Sequence, residues 1–92
     1  MGTLTLARVS RAMRLCTDEG IDLPKAAVVS EIAKCCSCEI YITCADHHAK
    51  ARSVSELLGL MAEPGCDVVL EAVGFGSEEA LDLVENLLVH PF

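Results

Sequence analysis

The chain has 92 residues, room for one small domain, and 52% of them are hydrophobic against 23% charged, the balance of a folded chain rather than a disordered one. Its formal charge of −7 comes from 14 acids against 7 Lys and Arg and argues against a nucleic-acid binder, because phosphate backbones are held by basic side chains. No apolar run nears the ~20 residues that span a bilayer, so no membrane insertion is expected. The stretch from Met1 to Arg14 lacks the apolar core and small-residue cleavage site of a signal peptide, and the expected location is cytoplasmic.

Residues 13–17 (Met-Arg-Leu-Cys-Thr) alternate apolar and polar and predict a half-buried first strand. Residues 1–11 are either an N-terminal extension or a lengthening of that strand through Leu4, Leu6 and Val9, leaving 12–92 as the domain. A helix follows, with Asp22 as N-cap and Pro24 in the first turn, where a missing N–H costs nothing. Ala26, Val29, Ile32, Ala33 and Cys36 recur on its inward face. From Cys38 to Cys44 the period becomes two: Cys38, Ile40, Ile42 and Cys44 share one face, and Glu39, Tyr41 and Thr43 the other.

After a turn over residues 45–48, residues 50–54 are expected as a short strand and 55–62 as a short helix with Leu57, Leu58 and Met61 inward. Pro64-Gly65 ends it, and Val68, Leu70 and Ala72 form the inward set of a further strand. Ser77 is expected to cap a last helix with Glu78 and Glu79 in its first turn, where acids suit the helix dipole. Ala80, Leu81, Val84, Leu87 and Leu88 make its apolar face, and Pro91 stops it. The order β-α-β-β-α-β-α, with strands that alternate this cleanly, predicts an α+β fold: one antiparallel four-stranded sheet with three helices on one face.

Residues 56–92 hold eight acids and no Lys or Arg, so all the net charge sits there; a solvated surface accounts for it. The six cysteines are Cys16, Cys35, Cys36, Cys38, Cys44 and Cys66. Three of them fall on predicted core faces, where a free thiol behaves as a small hydrophobe. The competing reading is a metal or redox site built from Cys35, Cys36, Cys38 and Cys44, although these lack the paired Cys-x-x-Cys motifs that close a tetrahedral site, with only Cys35 and Cys38 at that spacing. The helix tip at Asp22 is a natural anion site, filled either by the Asp22 carboxylate itself or by a bound anion screened by Lys25. Ser53, just after Arg52, is expected as the cap of the short helix and is also a place where phosphorylation would be tolerated. No cofactor is implied. Nor do paired general acids and bases suggest free-standing catalysis.

The segment running from Gly20-Ile-Asp-Leu-Pro-Lys-Ala-Ala to Lys34 resembles the active-site loop and first helix of HPr, the phosphocarrier of the sugar phosphotransferase system, where members read Gly-(Leu/Ile)-His-(Thr/Ala)-Arg-Pro-Ala-Ala. Cys38-Glu-Ile-Tyr-Ile-Thr is similar to the family's Ser-Glu-Ile-Thr-Val-Thr strand, and Ala51-Arg-Ser-Val-Ser-Glu-Leu-Leu-Gly-Leu-Met to the stretch bearing its regulatory serine. The resemblance implies the HPr-like open-faced β-sandwich, and protein partners: enzyme I, enzyme IIA or an HPr kinase.

Read along the resemblance, Asp22 occupies the place of the phospho-accepting histidine, Pro24 that of the supporting arginine, and Lys25 that of the proline. An anionic carboxylate is a poor substitute for a neutral imidazole nucleophile. Ser53 matches the regulatory serine, the residue through which Crh, a relative also lacking the histidine, acts. The expected role is a regulatory or docking module of the phosphotransferase system, not phosphorylated on histidine at the usual site, with Asp22, Pro24 and Lys25 marking the docking surface and Ser53 the phosphosite. The alternatives are a phosphocarrier using Asp22 as acceptor and a cysteine-rich metal or redox module on the same scaffold.

Overall fold

Four short extended segments and three helical ones set the architecture. The computed structural model describes residues 8–15 and 20–89. Its elements are β1 (Arg8–Arg14), α1 (Leu23–Cys35), β2 (Cys38–Cys44), β3 (His47–Lys50), α2 (Val54–Gly59), β4 (Asp67–Gly74) and α3 (Ser77–Val89). The strands form one antiparallel sheet in the order β1-β4-β2-β3. One face of it carries Cys38, Ile40, Ile42, Cys44, Val68, Leu70 and Ala72, all buried. Against them pack Ala26, Val29 and Ala33 of α1, Leu57 of α2, and Ala80, Leu81, Val84 and Leu88 of α3. The other face is open. This is the α+β arrangement that the alternation predicts.

The first strand lies earlier than expected, at Arg8–Arg14 rather than 13–17, so residues 8–11 belong to it. Cys16 and Thr17 lie outside the described residues, as do residues 1–7 and Pro91. The cause is Arg11. It takes an inward-facing position between Val9 and Met13, and its guanidinium meets three carboxylates on α3: Asp82 at 2.6 Å, Glu78 at 2.8 Å and Glu85 at 2.9 Å. These hydrogen bonds, Asp82's first, raise the guanidinium's pKa and hold it charged. An inward position filled by arginine hides the period.

The third strand is also displaced, from residues 50–54 to His47–Lys50. Its hairpin turn takes only Ala45 and Asp46, with Ala45 at φ 54, a conformation usually marked by Gly or Asn rather than Ala. The short helix runs over Val54–Gly59, not 55–62, and buries Leu57 and Leu60 while Leu58 and Met61 face solvent. Leu60 and Met61 donate back to Leu57 and Leu58 in tight closing turns, and Met61 at φ 52 reverses the chain outward. At α3, Ser77 is the first helical residue rather than the cap before it. Its hydroxyl donates to the Gly74 carbonyl at 2.7 Å, and the Gly76 carbonyl closes the first turn by accepting from Ala80 N.

Two glycines are required by their surroundings. Gly74 (φ +130) lies opposite Cys38 in the sheet, and a Cβ there would come within 3.0 Å of the Cys38 Cα. Gly20 (φ +66) brings the chain against the loop after α2, where a Cβ would stand 2.0 Å from the Ala62 carbonyl oxygen. Its neighbour Ile21 donates to that same oxygen at 3.2 Å. This contact positions the start of α1.

Candidate functional site

Helix α1 begins as a capped terminus. Asp22 has extended backbone (φ −92, ψ −178), and its Oδ1 accepts from the Lys25 backbone N–H at 3.1 Å. The carboxylate therefore sits where an N-terminal anion would, among the backbone donors that the first turn leaves unpaired. Pro24 follows in that turn and is exposed. Lys25 is only 5% exposed, packed into the fold rather than displayed as a surface cation. Of the three residues expected to mark a docking surface, Pro24 is exposed, Asp22 half-buried and Lys25 buried.

Apolar side chains lie in the open on α1, on α2 and on the loop after α2. Leu23 is 59% exposed, and Met61 is 78% exposed on the loop whose Ala62 carbonyl holds Ile21. Leu58, on α2, faces solvent as well. These three were missed from the sequence; two of them read as core because α2 was expected to run longer. For Leu23 the signal was available, since it is the first residue of the helix and lies off the inward stripe.

Ser53 caps α2: its Oγ accepts from Glu56 N at 3.2 Å and lies 3.2 Å from the Ser55 hydroxyl. The Glu56 carboxylate reaches back to accept from Lys50 N at 2.9 Å. The residue before the cap is tied to α1, because the Ser30 hydroxyl donates to the Arg52 carbonyl at 2.8 Å. Asp22 and Ser53 therefore belong to one packed pair of helices, each as the cap of its own. The Arg52 guanidinium stands 3.5 Å from Glu39 on the open face of the sheet.

The cysteines do not converge. Cys38 and Cys44 are the first and last residues of β2, about 20 Å apart at the rise of an extended strand, so one ion cannot be held by Cys35, Cys36, Cys38 and Cys44 together. No group of three or more metal-ligating side chains gathers among the described residues. Burial, followed by the neighbouring Cys38 and Cys35, pushes the Cys36 thiol above its usual range. At the other end of β2, Cys44 meets a partner that sequence reasoning did not give it: its sulfur lies 3.5 Å from that of Cys66. Burial pushes the Cys44 thiol up, and Cys66 adds to the shift. The described histidines, His47 and His48, are exposed on β3, with His48 Nδ1 3.0 Å from the Thr43 hydroxyl; His90 lies outside the described residues.

Two shallow grooves mark the surface. One is lined by Cys36, Phe75 and Leu83 among others, and the second lies on the open sheet face beside Tyr41 and His48; neither includes Asp22 or Ser53.

The fold is that of HPr proteins. Against HPr from Bacillus anthracis str. Ames the TM-score is 0.84 at 21% identity, covering 89% of this chain and 98% of that one. HPr (HPr-C-His) from Thermoanaerobacter tengcongensis gives 0.81 at 22% identity over 87% of this chain and 90% of that one. The histidine-containing phosphocarrier protein of Mycoplasma gives 0.81 at 15% identity, covering 88% and 92%. Comparison with curated protein sequences finds no match. Residues 9–89 match the profile of the family described as "PTS HPr component phosphorylation site". The chain belongs to the HPr family of the phosphotransferase system. The HPr component is a phosphocarrier protein, not an enzyme. No helix among the described residues is long and apolar enough to cross a membrane.

Proposed function

We propose that this HPr-family chain is a regulatory and docking module of the phosphotransferase system, cytoplasmic, with Asp22 standing where its relatives carry the phospho-accepting histidine. The observation that supports this most is the helix tip itself. The Asp22 carboxylate is already engaged as the cap of α1, and no histidine occurs between Leu15 and Ala26. A carboxylate attacking a phosphoryl donor is an anion approaching an anion, and sites that form acyl phosphates offset this with a divalent cation. The exposed Leu23, Leu58 and Met61 suit contact with a protein partner, as apolar anchors commonly do. The expected partners are enzyme I, enzyme IIA or an HPr kinase.

Ser53 is the phosphosite of this reading. Its hydroxyl caps a helix, where added phosphate would find backbone N–H donors, while the nearby Glu56 carboxylate would oppose the new charge. Phosphorylation would therefore loosen Glu56 from Lys50 rather than unfold the chain.

Two incubations test the proposal. With phosphoenolpyruvate and enzyme I, the intact mass is expected to stay unchanged; with ATP and an HPr kinase, one phosphoryl group is expected on Ser53. An alkali-labile, hydroxylamine-sensitive adduct that maps to Asp22 in the first incubation would make it an acyl-phosphate carrier and overturn the leading mechanism. An alkali-stable, acid-labile adduct on His47, His48 or His90 would restore histidine carriage. No adduct in the second incubation, or one mapped elsewhere, removes Ser53.

A further inference from the structure

Cys44 closes the end of β2, held in the sheet opposite Val68, with its side chain turned inward and buried. Cys66 lies in the turn that precedes β4 and is half-buried. The two are 22 positions apart in sequence, yet their sulfurs lie 3.5 Å from each other in the fold. The main chain on both sides is fixed. Cys66 accepts from Leu15 N at 2.8 Å through its carbonyl and donates to Glu63 O at 3.2 Å, while Gly65 donates to Leu15 O at 2.8 Å. A disulfide needs its sulfurs at about 2.05 Å, so bond formation asks for a closure of about 1.5 Å. Small side-chain rotations span that distance, and Cys66 lies outside any helix or strand.

We infer that Cys44 and Cys66 form a thiol–disulfide site, oxidised by small-molecule disulfides of the glutathione class. This is independent of the phosphotransferase reading. The more accessible Cys66 reacts first: its thiol gives its proton to solvent, and the thiolate attacks the oxidant's S–S bond. Cys66 is then joined to one half of the oxidant, and the other half leaves as a thiolate that takes up a proton. Cys44, already alongside, loses its proton and attacks the Cys66 sulfur, forming the Cys44–Cys66 bond and expelling the second half as a thiol. Two protein thiols are oxidised and one small disulfide is reduced to two thiols. The second step is intramolecular between pre-positioned sulfurs, which gives it the advantage of proximity. Of the other described cysteines, Cys35 faces solvent at the end of α1, while Cys36 and Cys38 neighbour each other at the end of β2 far from Cys44.

Oxidation would have a local structural result. The turn carrying Cys66 binds Leu15 at the end of β1, and Ala62, just before that turn, holds Ile21 next to the cap of α1. A crosslink to β2 would pin this junction to the centre of the sheet.

The test uses the full chain, fully reduced, equilibrated in glutathione buffers of graded poise. The samples are quenched in acid, alkylated and mapped by peptide mass. The expected result is a Cys44–Cys66 linkage that reaches half-formation at a glutathione disulfide concentration at least about tenfold below that needed for any other pair, at fixed reduced glutathione. Cys44→Ser removes the resolving thiol and is expected to stop at one glutathione on Cys66; Cys44→Ala gives the same readout should a buried hydroxyl disturb folding. The inference is overturned if a pair drawn from Cys16, Cys35, Cys36 and Cys38 links at the same or a more reducing poise. It is equally overturned if the unsubstituted chain keeps glutathione on Cys66, or leaves both thiols free where other pairs have linked.

Discussion

Replacing Gly20 by alanine tests how the start of α1 is set. An L side chain at φ +66 costs about 1–2 kcal/mol in the left-handed region. The new Cβ would also stand 2.0 Å from the Ala62 oxygen, whereas real contacts of this kind stay beyond 3.0 Å, so one backbone must retreat. Retreat lengthens the bond from Ile21 N to that oxygen, 3.2 Å in the native chain, at a further cost of about 0.5–1.5 kcal/mol. It also disturbs the packing of the buried Ile21. The total is about 2–4 kcal/mol, a large part of the 5–15 kcal/mol by which domains are ordinarily stable.

Gly65→Ala is the matched control: its φ is +84, but nothing lies within 4 Å of a Cβ there. Both substitutions stiffen the unfolded chain alike, so their difference isolates the collision. Urea unfolding followed by circular dichroism is expected to place Gly20→Ala about 1–3 kcal/mol below Gly65→Ala, with a melting temperature about 5–20 °C lower. Equal stabilities for the two variants would refute the claim that the contact between Gly20 and Ala62 positions the helix.

Arg11→Ala removes the tie between β1 and α3 and leaves Glu78, Asp82 and Glu85 without their shared cation. Its melting temperature is expected to fall below the wild-type value in low salt, with the gap narrowing near about 1 M salt as the remaining carboxylates are screened. A salt-independent gap would point to lost packing alone. The Cys44 thiol predicts an alkaline effect. Because the folded protein keeps this proton to higher pH than the unfolded chain, its stabilising contribution is complete below the ordinary thiol pKa of about 8.5 and is lost as pH rises towards the raised folded value. Under reducing conditions, wild-type stability should therefore fall more steeply than that of Cys44→Ala above about pH 8.5, and the two curves should run parallel below it; parallel curves throughout would contradict a raised thiol. Finally, Leu58→Ala and Met61→Ala are expected to change stability by no more than about 0.5 kcal/mol, because both side chains face solvent. Together they should weaken HPr kinase binding, read by titration calorimetry, by about tenfold or more. Unchanged affinity would remove them from the docking surface.

Where the period of side chains was undisturbed, the fold could be read directly. β2 alternates without exception, α3 carries a clean apolar stripe, and Val68, Leu70 and Ala72 mark β4; each occupies the face expected of it. The errors fell where a local signal was displaced by a distant partner or an unusual backbone. Arg11 is inward because of carboxylates on a helix far along the chain, Ala45 takes a turn conformation ordinarily left to other residues, and Met61 reverses the chain with a positive φ. At the candidate site, the Asp22 and Ser53 caps were legible because capping depends on residues three positions away. The burial of Lys25 was not, since it depends on tertiary packing. Nor was the approach of Cys66 to Cys44, which exists only once the turn before β4 has been brought against the end of β2.

The strand order has a consequence for how such a chain matures. β4, the last of the described strands to emerge from the ribosome, lies between β1 and β2, and among the described residues β1 has no other neighbour in the sheet. Arg14 must wait for Asp67, 53 positions along the chain, before it finds its opposite number. A nascent chain that has released α1 and the hairpin of β2 and β3 still holds its first strand unpaired, so the arrival of β4 completes the sheet rather than adding to a finished one. Premature termination before β4 would thus disable the amino-terminal half as surely as the missing part.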